Sequence, residues 1–470
     1  MFWLWIFLGT LLLVLLALAI HDLTQRNHAI LHNFPLIGHF RYLLEAIGPE
    51  LRQYIVTDND EERPFSRDQR RWVYASSKKQ NNYFGFGTDN DIEGSSNYLI
   101  LKHSAFPLLH PGHGGSYPLP CAKIMGAHRK RPKAFRPASM VYVSGMSFGS
   151  LGAAAVEALN RGCKIAGAMQ NTGEGGLSSH HLHGADVILQ VGTAYFGVRD
   201  TDGRFSLEKL VATVNAHPQI RAIEIKLSQG GKPGLGGLLP GEKVTPEIAR
   251  VRGIEPWKTC ASPAGHTEFN DVEGLLDFIE RLAAATGLPV GIKSAVGELR
   301  FWVDLARLSA TTDRAPDFIV IDGGEGGTGA GPLSYTDHVA LPFKVGFTRV
   351  YREFVRQKMH DKIVFVGSGK LGFPIDAMFA CALGCDMIAV GREAMLSIGC
   401  IQAQRCHTGH CPAGIATHNR WLMAGLDPTL KAARLANYLV TLRMELTKLS
   451  HTCGVEHPHL VNPDHFEILD

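Results

Sequence analysis

Excess charge of either sign is missing from this sequence: 47 Lys and Arg against 44 Asp and Glu leave a net of +3 over 470 residues, and no dense basic run carries interleaved aromatics. Nucleic acid is therefore not an expected partner, because recognising its phosphates takes clustered cations. Small molecules or a redox protein remain. The nine cysteines are unevenly spaced, with three of them inside twelve positions, so the regular framework of a secreted disulfide-rich chain is absent. That points to a reducing compartment. Internal repeats and low-complexity segments are also lacking, and 45% hydrophobic against 19% charged content lets the chain bury a large core.

One long uncharged run stands out. Phe2 to Ile20 holds nineteen residues without a charge, and at 1.5 Å rise a helix of that length crosses a hydrocarbon core of about 30 Å. Residues 1–20 are expected to form a single-pass transmembrane anchor, with residues 2–20 in the membrane. A cleaved signal peptide competes, since Ala17-Leu18-Ala19 has the small-x-small form, but no Lys or Arg precedes the run. Arg26, Arg41 and Arg52 follow the helix, and the short N-terminal side has no such charge. This asymmetry puts the remaining chain on the cytoplasmic side of an inner or plasma membrane.

Residues 21–137 mix aromatic and basic residues in irregular order, with a His-, Gly- and Pro-rich stretch from His103 to Pro120, and read as an extension that wraps a core. Pro35-Leu36-Ile37-Gly38 reads as a packed loop, with a membrane-surface contact as the alternative. From about Met140 the pattern becomes short apolar runs, each followed by Gly, Ser or polar residues and then a helical stretch. Eight can be counted: MVYVSGMS, KIAGAMQNTG, DVILQVGTAYFG, AIEIKLSQGG, PVGIKSAVG, DFIVIDGGEGG, IVFVGSGKLG and MIAVGREA. Continuous apolar strands alternating with helices argue a parallel sheet covered on its outer face, and eight of them argue an α/β fold of the (β/α)8 TIM-barrel type. An open doubly wound sheet fits less well, because no G-x-G-x-x-G follows the first run. The barrel is expected over 138–440 and a C-terminal tail over 441–470.

In such a barrel, reactive side chains project from the C-terminal strand ends, where glycine lets backbone N–H groups approach an anion. Gly326, Gly327 and Thr328 follow the sixth run, Ser368 and Gly369 the seventh, Gly391 and Arg392 the eighth. Together they make a candidate phosphate site, although each alone is an ordinary turn. Lys293 ends the run PVGIK and would carry its ammonium into the mouth. A cation there stabilises negative charge on a reduced flavin ring; a salt-bridged surface lysine is the plainer alternative. Ser144, Met146, Ser147, Asn171 and Gln190 sit at corresponding ends as further cofactor contacts.

Cys400, Cys406 and Cys411 follow C-x5-C-x4-C-P, three thiolate donors close enough to share one iron–sulfur centre. Zinc competes, with His407 or His410 completing a tetrahedron, though the usual C-x2-C pair is absent; three buried structural cysteines are the third reading. His180, His181 and His183 invite a metal, but no carboxylate partner is evident in sequence, so they read as loop residues. His266 is a candidate proton donor.

Taken together, SGMSFGSL at 144–151, NTGEGG at 171–176, IEIKLSQGGKPG at 223–234, LPGEKVTPEIARVRG at 239–253, DGGEGGTGAGPL at 322–333 and GCIQAQRCHTGHCPAGIATH at 399–418 resemble the synthase domain of glutamate synthase. The chain is most similar to the short glutamate-synthase-like proteins that carry a membrane segment ahead of that domain. The resemblance implies a barrel holding FMN and a 3Fe–4S cluster, converting 2-oxoglutarate and ammonia to glutamate through 2-iminoglutarate. It implies Cys400, Cys406 and Cys411 as cluster ligands, Lys293 and Gln190 as flavin contacts, and Glu174, Lys232 and Arg252 around the 2-oxo acid. Two cations can clamp a dicarboxylate and a carboxylate can hold or relay a proton. Leu235 and Leu238 stand where the full enzymes usually have Glu and Gln. A different amine or oxo acid, such as one giving N-methylglutamate, is therefore an alternative, and a non-catalytic membrane electron-transfer subunit is another. Neither an N-terminal cysteine nucleophile for a glutaminase nor a dinucleotide fingerprint is present. Ammonia or an amine must then come from outside, and electrons from a donor protein such as ferredoxin.

Overall fold

Eight segments apolar on both faces leave no exposed sheet edge if they close on themselves. In the computed structural model, which describes residues 1–25, 29–52, 62–83, 87–109 and 115–469, they do so. The strands are β1 (Val141–Val143), β2 (Gln170–Asn171), β3 (Val187–Val191), β4 (Ile220–Lys226), β5 (Val290–Ala295), β6 (Phe318–Asp322), β7 (Val364–Ser368) and β8 (Met387–Val390). Spatial order follows chain order, every pair is parallel, and β8 returns to β1 through Ile388↔Val141, Ala389↔Tyr142 and Val390↔Val143. Every strand residue except Arg221 is buried, which is why these segments read as unbroken apolar runs.

The second run departs from expectation. Lys164 to Ala166 finish the helix Ala153–Ala166, Gly167 caps it in the left-handed conformation at φ 64°, and the strand is only Gln170–Asn171. Helix Ala153–Ala166 buries Ala155, Val156, Leu159 and Cys163 at helical spacing, and an apolar stretch at its end cannot be told from a strand by composition. Residue 440, taken as the end of the barrel, lies inside the helix Pro428–Thr452, which Asp427 caps by accepting from Thr429 N and Leu430 N. That helix packs along Ala153–Ala166.

The chain divides into two compact units, Met1–Arg70 and Arg71–Asp470. Within the larger unit, the segment before β1 closes the end of the barrel opposite the mouth. Lys123 Nζ donates to the carbonyls of His360 (2.6 Å) and Ile363 (3.0 Å) and pairs with Asp386 (2.8 Å), just before β7 and β8. Arg131 joins Glu280 (2.6 Å) to Asp317 (2.9 Å), just before β6. A separate antiparallel pair joins Tyr98–Leu101 to Phe466–Leu469. His110 to Gly114, part of the stretch from His103 to Pro120, lie outside the described residues.

In the smaller unit, Phe2–Thr24 is, among the described residues, the one helix long and apolar enough to cross a bilayer, with a mean hydropathy of 2.6 over its most apolar 18 residues. It runs beyond Ile20 and takes in Asp22, whose buried carboxylate accepts from Leu36 N (3.0 Å) and His39 Nε2 (2.9 Å). Ile37 and Gly38 begin the helix Ile37–Leu51 instead of ending a loop, and Arg41 in it pairs with Glu45 at 2.8 Å. Arg26 lies outside the described residues.

Candidate active site at the barrel mouth

The strand ends collect two groups of polar side chains. The first surrounds Lys293, two residues before the end of β5. Its Nζ lies 3.4 Å from Ser144 Oγ and 3.7 Å from Asp322 Oδ2, with both side chains of the Lys293–Asp322 pair 7% exposed. Glu224, on β4 and fully buried, accepts from Asn171 Nδ2 (2.9 Å) and Gln190 Nε2 (2.5 Å) through Oε1. Its other oxygen has no hydrogen-bond partner among the described residues. Burial raises the Glu224 carboxyl against the lowering charge of Lys293 and the two amide bonds. Asn171 Oδ1 also accepts from Gly173 N at 2.9 Å, so this amide is largely committed to the protein. Gly145 lies directly above: a Cβ there would come within 2.8 Å of Gln190 Nε2 and 2.9 Å of Asn171 Oδ1.

The ends of β6, β7 and β8 converge beside this group. Gly323 N donates to Ser368 O at 2.9 Å, Arg392 donates to Glu325 O, and a Cβ on Gly327 would meet Arg392 Cδ at 2.6 Å. The structure thus brings Gly326, Gly327, Ser368, Gly369 and Arg392 together at adjacent strand ends, with Gly391 preceding Arg392 in the chain. Thr328 Oγ1 accepts from Ala330 N (3.2 Å), and Ser147 Oγ bonds Ser150 Oγ (3.0 Å), so these two hydroxyls serve their own loops. Met146 is half-buried in the loop after β1. A buried cation, an amide pair and a glycine-backed cup ending in arginine form a donor set that suits a flat ring bearing a phosphate.

The second group lies over β2 to β4. Lys226, the last residue of β4, pairs with Glu174 Oε1 at 2.9 Å and bonds Gln229 Oε1 at 2.7 Å. Burial opposes ionisation of Glu174, but the charges of Lys226, Lys232 and Arg252 overcome it and hold the carboxyl at about 2. Lys232 is buried, and desolvation lowers its ammonium against the pull of Glu174. Arg252 ends the helix Pro246–Arg252, which Thr245 caps by accepting from Ile248 N. Its Nη2 donates to Phe148 O at 3.2 Å, and its Nε has no partner among the described residues. The loop after β1 therefore touches both groups, through Ser144 and Gly145 at one end and Phe148 at the other. Leu235 and Leu238 are 36% and 51% exposed.

His266 is already engaged: Nε2 lies 2.9 Å from Lys226 O and Nδ1 3.2 Å from Tyr195 OH. Burial lowers its pKa, and the ring buttresses Lys226. The three cysteines occupy a loop without helix or strand after the helix Arg392–Ser397. Gln402 and Gln404 are left-handed, at φ 57° and 54°, and coil this loop tightly. Gln402 N donates to Cys400 Sγ at 3.5 Å, Tyr74 OH to Cys400 O at 2.7 Å, and Gly329 lies against Cys406. Lys243, fixed by the carbonyls of Cys406 (2.7 Å) and Ala416 (3.1 Å), is buried close enough to Cys406 and Cys411 to feel both. Three soft donors beside a buried cation are chemically suited to an anionic iron–sulfur centre.

Glu224, Lys226 and Lys243 escaped the sequence reading. Lys226 ends an apolar run just as Lys293 does, and Glu224 is the lone acid inside AIEIK, so each had a visible cue. Lys243 had none, because its partners lie far along the chain.

Residues 121–456 match the family model described as a conserved region in glutamate synthase. The glutamate synthase large subunit-like protein YerD of Bacillus subtilis (strain 168) is 38% identical over 479 residues, covering 95% of this chain and 91% of that protein. The archaeal glutamate synthase [NADPH] of Methanocaldococcus jannaschii is 34% identical over 67% of this chain and 59% of its own length. The ferredoxin-dependent glutamate synthase of Cyanidium caldarium is 32% identical over 66% of this chain but only 20% of its own. The chain thus matches nearly all of the first of these relatives but only part of the two named as synthases.

Proposed function

Because the chain belongs to the glutamate synthase family, we propose that it is a membrane-tethered FMN and iron–sulfur oxidoreductase that reductively aminates a 2-oxo acid, 2-oxoglutarate to glutamate, with electrons from an external donor protein such as a ferredoxin. The carrying observation is the grouping of Glu174, Lys226, Lys232 and Arg252 one loop away from the Lys293 group. FMN, when bound, supplies hydride transfer, and a 3Fe–4S cluster supplies single-electron relay. Lys293, Gln190 and Ser144 would hold the ring, Gly326 to Thr328, Ser368, Gly369, Gly391 and Arg392 the phosphate, and Cys400, Cys406 and Cys411 the iron.

The chain's own side chains bind and orient the substrate. Arg252 and Lys232 hold its carboxylates, Arg252 with a planar fork suited to two parallel hydrogen bonds. Condensation with ammonia releases water, and the imine takes up two electrons and two protons. Glu174, ionised at neutral pH, pairs with the positive charge on the nitrogen. Lys232, its ammonium acidified by burial, is the nearby proton donor. The helix Phe2–Thr24 would tether the enzyme to an inner or plasma membrane with the barrel in the cytoplasm, as the basic residues Arg26, Arg41 and Arg52 favour.

Anaerobic purification should yield one FMN and about three irons per chain, as a 3Fe–4S centre requires, with turnover of 2-oxoglutarate and ammonia. A colourless, iron-free protein that cannot be reconstituted would overturn the proposal. Leu235 and Leu238 are apolar and flank Gly237, which lies against Glu174, and this favours a second reading in which an alkylamine replaces ammonia. Faster flavin reoxidation with methylamine than with ammonia would select it.

A further inference from the structure

Away from the mouth, His180 and His183 lie beside two carboxylates that are distant in sequence. Ligand atoms of Glu157, His180 and His183 fall within 4.8 Å of one another. Glu157, on the helix Ala153–Ala166, commits Oε1 to Arg161 at 2.6 Å and turns Oε2 towards His183 Nε2 at 3.8 Å. That spacing is too long for a hydrogen bond and close to the roughly 3.3 Å that separates two donors on one tetrahedral zinc ion. His180 Nε2 meets Glu247 Oε1 at 2.9 Å, which leaves Nδ1 as the nitrogen to bind an ion, and a carboxylate bonded in this way fixes the ring of a metal-bound imidazole. Side-chain exposures of 21% for Glu157, 19% for His180 and 29% for His183 leave the group accessible to an ion.

We propose that Glu157, His180 and His183 form a divalent metal site of the zinc class, with Glu247 orienting His180 and water in the remaining position. Two imidazoles and one carboxylate select a borderline ion over calcium or magnesium, which take all-oxygen sets. The ion would work as a clip. It ties the loop that follows Glu174 to the helix Ala153–Ala166 and, through Glu247, to the helix that ends in Arg252. The His180 ring also lies 4.9 Å from that of Phe148, whose carbonyl holds Arg252. The proposal does not depend on the reaction assigned to the mouth.

Cobalt(II) titration under anaerobic conditions tests it, using the full chain as purified and a C400S/C406S/C411S form whose loop can supply no thiolate. One equivalent of Co2+ per chain is expected, with visible ligand-field absorption, no sulfur-to-metal charge transfer, and displacement by Zn2+ but not Mg2+ or Ca2+. His183→Ala and the milder Glu157→Gln should each abolish that signal, and Glu247→Gln should weaken binding by about 10- to 100-fold. Should the serine form fail to fold, the difference between the purified chain and its His183→Ala variant gives the same reading. Absence of cobalt uptake, or uptake that His183→Ala and Glu157→Gln both leave intact, overturns the proposal.

Discussion

Lys226 and Lys293 are register partners on adjacent strands, both buried, yet they are held in opposite ways. Lys226 is locked against a carboxylate at 2.9 Å, whereas Lys293 has Ser144 at 3.4 Å and Asp322 at 3.7 Å. A buried cation gripped by an anion is a structural strut, and its main effect falls on the partner, here Glu174. A buried cation with only long contacts keeps its charge available for an incoming anion. One register position thus serves two purposes, decided by which acid each lysine reaches.

The largest effects should come from separating the two groups. Arg252→Ala is expected to lower kcat/KM for the 2-oxo acid by roughly 10²- to 10³-fold, within the cost of truncating a partner of a buried charge contact. Its FMN content should not change. Lys293→Met is expected to do the reverse, reducing FMN per chain and lowering the flavin potential measured by dye equilibration. Loss of flavin from both variants would show that the groups are not separable.

Next comes Lys226→Met. Glu174 sits at about 2 in the folded chain, against about 4.3 when unfolded. A depressed carboxyl stabilises the fold above the unfolded value and loses that contribution as pH falls from about 4.3 towards 2. Without Lys226, burial lifts the Glu174 carboxyl towards its unfolded value, so the acid-side loss becomes smaller and ends at higher pH. Acid unfolding followed by circular dichroism between pH 2 and 5 should move accordingly, and Lys293→Met should leave this limb in place.

His181 sharpens the contrast from outside the mouth. Burial, with the charge of neighbouring His180, lowers it to about 3, against about 6.5 unfolded. The fold takes it neutral, so the chain loses stability as pH drops from about 6.5 towards 3, a window that opens above that of Glu174 and overlaps its upper part. His181→Asn should flatten thermal stability across that window. The smallest effect expected is from Leu238→Gln, a few-fold shift in preference between ammonia and methylamine, read as relative rates of flavin reoxidation.

Much of this was legible in the linear sequence, for identifiable reasons. All eight barrel strands announced themselves because burial on both faces forces unbroken apolar runs, and Gly326, Gly369 and Arg392 stood out by their place just after successive runs. The second strand was overdrawn because a helix end and a strand look alike when both are apolar. Glu224 and Lys243 stayed hidden because their meaning lies in partners 53 and 163 positions away, Asn171 and Cys406. The same applies to Glu157 and Glu247, without which the histidines at 180 and 183 looked idle.

The pairing of Tyr98–Leu101 with Phe466–Leu469 joins the segment ahead of the barrel to the segment behind it. During synthesis Tyr98–Leu101 emerges before the barrel and stays unpaired while the barrel is made. A truncation that removes Phe466–Leu469 but spares every barrel strand would leave this edge open, and an open edge is a template for sticking to other chains. The seam therefore makes the two flanks interdependent: neither strand is shielded until both are present.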